Sequence, residues 1–268
     1  MALQTDPSGV PRLIGDNTSE SVNLSVDNSR FGGVTTNFPS GVWMLGGDDS
    51  VIGSTANDLV YGNEGEEVIL GDFGNDSLFG GKGKDLLSGD EGNDYLSGGQ
   101  DADAFLGSGG NDILLGGRGN DLLFSGNGFD TLVGGLGRDL LGGFNDTNTS
   151  IKISGSNLYV LQPEAGVNDV NQADLIRGFR VGFDRIGLAD GLTANDLVLE
   201  NLTNVSIVIQ AEVSQFLSSI ATPDLLRPTS FLTSGTLIKV RNSGNVVGFV
   251  ADVTPSQIQG SITSVQGF

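Results

Sequence analysis

Gly80-Gly81-Lys82-Gly83-Lys84-Asp85-Leu86-Leu87-Ser88 runs directly into Gly89-Asp90-Glu91-Gly92-Asn93-Asp94-Tyr95-Leu96-Ser97. The two nonapeptides share Gly at position one, Gly at four, Asp at six and an apolar residue at eight. Outward from this pair the spelling continues without insertion or deletion from Gly53 to Gly142, ten units of nine. The sixth position reads Asp58, Glu67, Asp76, Asp85, Asp94, Asp103, Asp112, Asp121, Asp130 and Asp139. The eighth reads Val60, Ile69, Leu78, Leu87, Leu96, Phe105, Leu114, Leu123, Leu132 and Leu141. An imperfect unit precedes them in frame, with Gly47, Asp49 and Val51 at positions four, six and eight.

Self-similarity at a fixed short period marks a solenoid. Positions one to four are Gly-rich, with Asn63, Asp72, Asp90, Ser54 and Ser108 at position two. Gly, Asn and Asp tolerate left-handed backbone angles, so this part is expected to turn tightly. Positions seven to nine are apolar and predict a short strand whose middle residue points inward. All seven prolines lie outside residues 40–162, as hydrogen-bonded ladders require. Strands this short cannot form a hairpin meander. Stacked coils of two units each satisfy the pattern, giving an all-β, right-handed parallel β-roll (a β-solenoid) with turns on both flanks.

Stacking puts the carboxylates of units n and n+2 about 4.8 Å apart. Each such contact costs about 1 kcal/mol in water and several times more where water is partly excluded. A bound cation reverses the sign. Calcium suits the site, because it takes six to eight oxygens in flexible geometry, whereas magnesium insists on a tight octahedron. Gly-rich turns supply main-chain carbonyls to complete a shell around two Asp side chains. Turn formation alone explains one Asp per turn but not its fixed offset from Gly, and equivalent carboxylates argue against a hydrolase pair within the repeats.

Composition agrees. The chain of 268 residues has 43 Gly, 33 acidic and 13 basic residues, a net charge of −20, and neither His nor Cys. Those absences exclude His-based and thiol catalysis, disulfides and the usual zinc sites. A chain this acidic, with no Lys/Arg run, is a poor nucleic-acid binder. No stretch approaches the length of a transmembrane span.

The units resemble the RTX nonapeptide of hemolysin-type calcium-binding proteins, Gly-Gly-x-Gly-x-Asp-x-(apolar)-x, most clearly at Gly80–Ser88 and Gly116–Phe124. The resemblance implies calcium held between turns on the same flank. One flank would then stack Asp58, Asp76, Asp94, Asp112 and Asp130. The other would stack Glu67, Asp85, Asp103, Asp121 and Asp139, with Asp49 at its head. Five turns per flank leave four gaps each, hence at most about eight ions. Glu67, Ala56, Asp101 and Ser125 depart from the consensus, so the outer gaps near Asp49, Asp58 and Glu67 are expected to be distorted or empty. The regular gaps are Asp76–Asp94, Asp94–Asp112, Asp85–Asp103 and Asp121–Asp139. Asn157–Leu161, Asp174–Phe179 and Phe183–Leu188 are similar to the segment that follows such repeats in cyanobacterial members, with Asn157 where Asp is common.

Three regions follow: an N-terminal arm or cap over 1–43, the calcium-binding roll over 44–142, and a β-rich C-terminal cap over 143–268. A strand is expected at Ser21–Val26, and Phe31, Phe38 and Trp43 are available to seal the first coil. Downstream, strands are expected at Val205–Ile209, Thr236–Val240 and Val246–Val250, the last two paired across Asn242–Asn245, with a short helix around Val213–Ile220 and a loop at Pro223 and Pro228. The chain start lacks the marks of a secretory signal peptide. RTX relatives leave through a one-step (type I) channel using an uncleaved C-terminal signal, for which Val253–Phe268 could serve. A site filled only at ~10⁻⁴–10⁻³ M calcium is empty in a cytosol and occupied outside.

These readings converge on a secreted, extracellular or cell-surface calcium-binding structural protein, contributing to a layer, matrix or filament by self-assembly. No catalytic motif is found. The alternatives are an adhesin or ligand-binding module, with cell-surface polysaccharide as a partner, and a polysaccharide-acting enzyme. The enzyme's candidate carboxylates would be Asp169, Asp174, Asp184, Asp190, Asp196 or Glu200, with Arg177, Arg180 and Arg185 nearby.

Overall fold

A computed structural model of the chain describes residues 2–5, 11–24, 41–142, 155–164, 167, 169, 172–208 and 230–266. The expected helix at Val213–Ile220, the loop at Pro223 and Pro228, and Phe31 and Phe38 lie outside the described residues.

Among the described residues strands alternate between two sheets of 11 strands each. Leu59–Glu64, Ser77–Lys82, Tyr95–Gln100, Ile113–Arg118 and Thr131–Leu136 form one face. Ser50–Ser54, Val68–Asp72, Leu86–Glu91, Ala104–Gly109 and Leu122–Asn127 form the other. Neighbours within a face are parallel and 18 residues apart, as in Leu96↔Leu114 and Phe105↔Leu123. Two nonapeptides therefore make one coil, and the predicted parallel roll is the observed architecture.

The inside of the roll is a single file, with Leu86, Ala104, Leu122 and Val133 buried in addition on its outer faces. Val51, Val60, Ile69, Leu78, Leu87, Leu96, Phe105, Leu114, Leu123, Leu132 and Leu141 are all fully buried. Every one is the eighth residue of its unit, pointing inward between outward-facing neighbours.

The strands are longer than positions seven to nine predict. Leu86–Glu91 and its equivalents run six residues, through positions one to three of the next unit. The first-position Gly thus belongs to a strand rather than a turn. It is glycine because the coil is thin: a Cβ on Gly80 would lie 2.1 Å from Asp85 Oδ2, and one on Gly98 2.1 Å from Asp103 Oδ2. Left-handed backbone appears at position two, including Asn63 (φ 78°), Asp72 (φ 72°), Asp90 (φ 66°) and Ser108 (φ 75°), and again at position four. The true turn is positions four to six.

Both sheets continue beyond the regular repeats. Upstream, Pro11–Ile14 pairs with Val42–Trp43, and Ser21–Asn23 pairs with Ser50–Ser54. Leu13, Val22, Val42 and Met44 extend the inner file and fill the first coils. Trp43 does not take that place: it lies between buried Val42 and Met44 in sequence and packs its ring at 4.3 Å from Tyr61, the ninth residue of its unit. Downstream, Leu158–Leu161 and Arg185–Leu188 continue one sheet, and Asp174–Arg177 continues the other. Ser230–Val240 and Val246–Ala251 form the expected antiparallel hairpin, and Leu197–Val208 joins it as the outermost strand. Within the tail, the helical turn Pro255–Ile258 buries Ile258, and Ile262–Ser264 pairs with Arg185–Leu188.

Coil stacking sets a steric test. Gly110 has φ 130°, and a Cβ there would meet the Gly92 carbonyl oxygen at 1.5 Å, whereas a Cβ on Gly260 meets nothing within 4 Å. Gly110→Ala should lower stability in urea unfolding by at least about 2 kcal/mol. Gly260→Ala should stay within about 0.5 kcal/mol of wild type. Equal stability of the two variants would contradict this packing.

Candidate metal centre

At each turn the chain reverses over positions four to six, and the sixth-position side chain folds back under its own strand. There the two carboxylate oxygens part company. Oδ1 accepts the main-chain N–H of the sixth residue one coil earlier: Asp58 N to Asp76 (2.7 Å), Asp76 N to Asp94 (2.8 Å), Asp94 N to Asp112 (2.9 Å) and Asp112 N to Asp130 (3.1 Å). On the opposite flank the series is Glu67 N to Asp85, Asp85 N to Asp103, Asp103 N to Asp121 and Asp121 N to Asp139, each 2.9 Å. Asp49 joins this flank through Val68 N, which donates to the Asp49 carbonyl at 2.8 Å. The structure thus brings the proposed ligands together as two columns.

Oδ2 has no such partner. It is buried without a hydrogen bond in Asp49, Asp76, Asp85, Asp94, Asp103, Asp112, Asp121 and Asp139, and both Glu67 oxygens share this state. Asp58 differs, because its Oδ2 accepts from Ser54 N (2.7 Å) and Ser54 Oγ (3.1 Å). Asp130 is also absent from this orphaned set.

Main-chain oxygens line the same spaces. The position-four carbonyls of Gly74, Gly92 and Gly119 point at the turn one coil on, where a Cβ on Gly92, Gly110 or Gly137 would meet them at 1.4–1.6 Å. Among the described residues these carbonyls accept no main-chain hydrogen bond. No three acidic side chains among the described residues converge on one point. Each gap therefore offers carboxylate oxygens from successive turns plus carbonyls, an all-oxygen donor set with net negative charge. That is what a hard divalent cation takes, and it fits calcium. The residues that would hold the ion are the sixth-position carboxylates and the carbonyls of the turns between them. A bound ion supplies positive charge to the orphaned oxygens.

Without a cation, protons are the remaining source of positive charge. Burial, reinforced by neighbouring carboxylates, pushes Asp76 and Asp112 up to about 7 and Asp103 up to about 9. Burial likewise takes Asp121 up to about 7 and Asp49 to about 6, against the hydrogen bond each accepts from the main chain. Glu67 and Asp85 are both raised, chiefly by burial. Asp139 lies well above the usual range through burial and the facing charge of Asp174.

Several members of these columns were not singled out as ligands from the sequence. Glu20 N donates to Asp49 Oδ1 (2.7 Å), and Ser50 N to the Glu20 carbonyl (2.8 Å), so Glu20 occupies a sixth position. The signal was present: Gly15, Glu20 and Val22 keep the offsets of positions one, six and eight. Asp139 N donates to Asp174 Oδ1 (3.1 Å), and Asn157 N to Asp184 Oδ1 (3.0 Å), extending both flanks downstream. Asn57, Asn75, Asn93 and Asn111, at position five every 18 residues, form a second ladder in which each Oδ1 accepts the next coil's N–H at 2.7–2.9 Å.

The carboxylates considered for catalysis have other surroundings. Asp174 and Asp184 lie in the two columns, and Asp184 pairs with Arg180 at 2.8 Å. Glu200 pairs with Lys239 at 2.8 Å, Asp196 accepts from Thr193 N and Oγ1, and Asp190 sits at φ 55°. Asp169 lies close enough to Arg138 to act on its charge.

The raised carboxylates fix the sign of the pH response. Their folded values exceed the unfolded ones, so their contribution to metal-free stability is full below the ordinary carboxylate range near 4. It is lost as pH rises through about 6 to 9. Metal-stripped protein should therefore resist urea better at pH 5 than at pH 8, and calcium should stabilise more at pH 8, releasing protons as it binds. Greater metal-free stability at pH 8 would contradict the assignment.

The chain matches the description of the RTX calcium-binding nonapeptide repeat, in four-copy blocks, over residues 45–78, 70–105 and 106–141. No curated protein matches it. Among the described residues no helix is long and apolar enough to cross a membrane. Residues 45–141, a little over a third of the chain, therefore carry RTX, or hemolysin-type, calcium-binding nonapeptide repeats, and calcium is the partner expected for such an array.

Proposed function

We propose that this is a secreted structural protein whose roll completes its folding when it meets calcium outside the cell, and which then assembles into a surface layer, matrix or filament. The observation that carries the calcium step is the double column of buried, orphaned carboxylate oxygens. Burying unpaired charge is costly, so the folded state is favoured wherever a cation is plentiful and disfavoured where it is scarce. The ligands are Asp49, Asp58, Glu67, Asp76, Asp85, Asp94, Asp103, Asp112, Asp121, Asp130 and Asp139, with at most about eight ions between the ten full repeats.

Assembly draws support from the ends of the sheets. Among the described residues Leu197–Val208, 12 residues long, is the outermost strand of one sheet, with its partner Ser230–Val240 on one side. A long edge strand is a template for adding another strand, including one from a second copy. The roles of the regions over 1–43 and 143–268 as caps belong to this proposal, and so does a cell-surface polysaccharide partner, which would make the protein an adhesin.

Two measurements test the reading. In calcium titrations followed by circular dichroism, Asp94→Ala with Asp112→Ala should raise the midpoint by at least about tenfold, or about 1.4 kcal/mol. An unchanged midpoint would remove these two ligands. Negative-stain electron microscopy and sedimentation at millimolar calcium should show polymers that dissolve on chelation, and monodisperse single chains at high protein concentration would refute assembly.

A further inference from the structure

The two carboxylate columns do not end alike. On the flank of Asp58, the unit of Asp130 begins with Ser125 in place of a first-position Gly, and the turn one coil on carries Asn157 in the sixth position. The buried Asn157 amide, oriented to satisfy its neighbours, donates to Asp130 Oδ2 (3.1 Å) and to the Gly128 carbonyl (3.3 Å), while its oxygen accepts from Ser125 Oγ (2.9 Å). Gly128 O also accepts Ser156 N at 3.1 Å. One gap further on, Arg180 donates through its guanidinium to the Gly155 carbonyl (3.0 Å) and to Asp184 Oδ1 (2.8 Å), and Arg180 N donates to Asp184 Oδ2 (2.7 Å). A position-four carbonyl and sixth-position carboxylate oxygens, left open in the array, are here occupied by N–H groups of the chain itself.

The flank of Asp49 ends otherwise. Asp139 N donates to Asp174 Oδ1 and Leu175 N to the Asp139 carbonyl, the same pair of contacts that links any two coils of the array. Asp139 Oδ2 remains buried and without a donor, with Asp139 1% exposed and Asp174 5%. Arg138 is close enough for its charge to act on Asp174. The Gly137 N–H, whose counterparts donate to a carbonyl of the next coil, donates instead to Glu164 Oε1 at 2.6 Å. The regular coil-to-coil contacts are thus repeated at Asp174, outside the matched repeats, beside one orphaned carboxylate oxygen, Asp139 Oδ2.

We propose that the gap between Asp139 and Asp174 is a further calcium site beyond the nonapeptide array, whereas the gaps at Asn157 and Asp184 are closed by Ser125, Asn157 and Arg180 and take no ion. The inference rests on the calcium reading above. In this account Arg180 is a resident cation. One flank ends in a plug that needs no metal, and the other ends in a clasp that does.

The test is an anomalous-difference map from wild-type crystals grown in calcium, together with ions bound per chain in equilibrium dialysis for wild type and Asp174→Asn. Density is expected between turns 137–139 and 172–174, with none between 128–130 and 155–157 or beside Arg180. Asp174→Asn should bind one ion fewer. If the array gaps are filled while the Asp139–Asp174 gap shows no density, or if density lies at Asn157, this proposal fails and the calcium reading stands. If the array gaps also show none, the calcium reading falls and takes this proposal with it. Should Asp174→Asn fail to fold, the wild-type map decides alone.

Discussion

The hydrogen bond from each sixth-position N–H to the carboxylate one coil on is what the rest of this structure depends on. It fixes the spacing and register of successive coils, as between Asp76 and Asp94 or Asp103 and Asp121. By engaging Oδ1 it also aims Oδ2 into the interior, where no donor meets it. The contact that orders the roll thereby creates its largest electrostatic cost, since buried polar groups are normally paired and buried charge is costly when it is not. An inner file one residue wide, however well filled from Val51 to Leu141, has little apolar surface with which to offset that cost. Folding is therefore tied to whatever supplies positive charge in the gaps.

Much of this was legible in the sequence because the repeat carries its own phase. Asp94 and Leu96, two residues apart, must face different surroundings in every coil, and ten copies in register leave little freedom in how they stack. The 18-residue pairing and the inward eighth residue follow directly. What stayed hidden was local. The glycine at position one looks like a turn residue, yet Gly80 and Gly98 are strand residues made small by the carboxylates beneath them. Composition alone does not separate a left-handed turn from a close approach, because both select glycine.

The continuation of the columns was obscured by spacing. Asp49 is tied to Glu20, 29 residues away, Asp139 to Asp174, 35 away, and Asp130 to Asn157, 27 away, so a fixed-period reading stops at the first insertion. The chemistry nonetheless persists, as an acid or amide followed two residues later by Val22, Tyr159, Ile176 or Ile186, all buried. Asp174 and Asp184 drew notice as possible catalytic acids because isolated carboxylates invite that reading. Their hydrogen bonds place them instead in the same series as the repeat aspartates. Trp43 shows the reverse error: a large aromatic suggested a plug, whereas the first coils are filled by Leu13 and Met44.

Amide hydrogen exchange across residues 53–142, with and without millimolar calcium at pH 7.5, addresses the dependence on positive charge most directly. The sixth-position N–H groups of Asp76, Asp94, Asp103 and Asp112 report on coil stacking itself. The account predicts strong protection of these amides in calcium and loss of most of it on chelation. Equal protection in both conditions would mean that the roll holds its orphaned carboxylates without a cation, and would contradict the account.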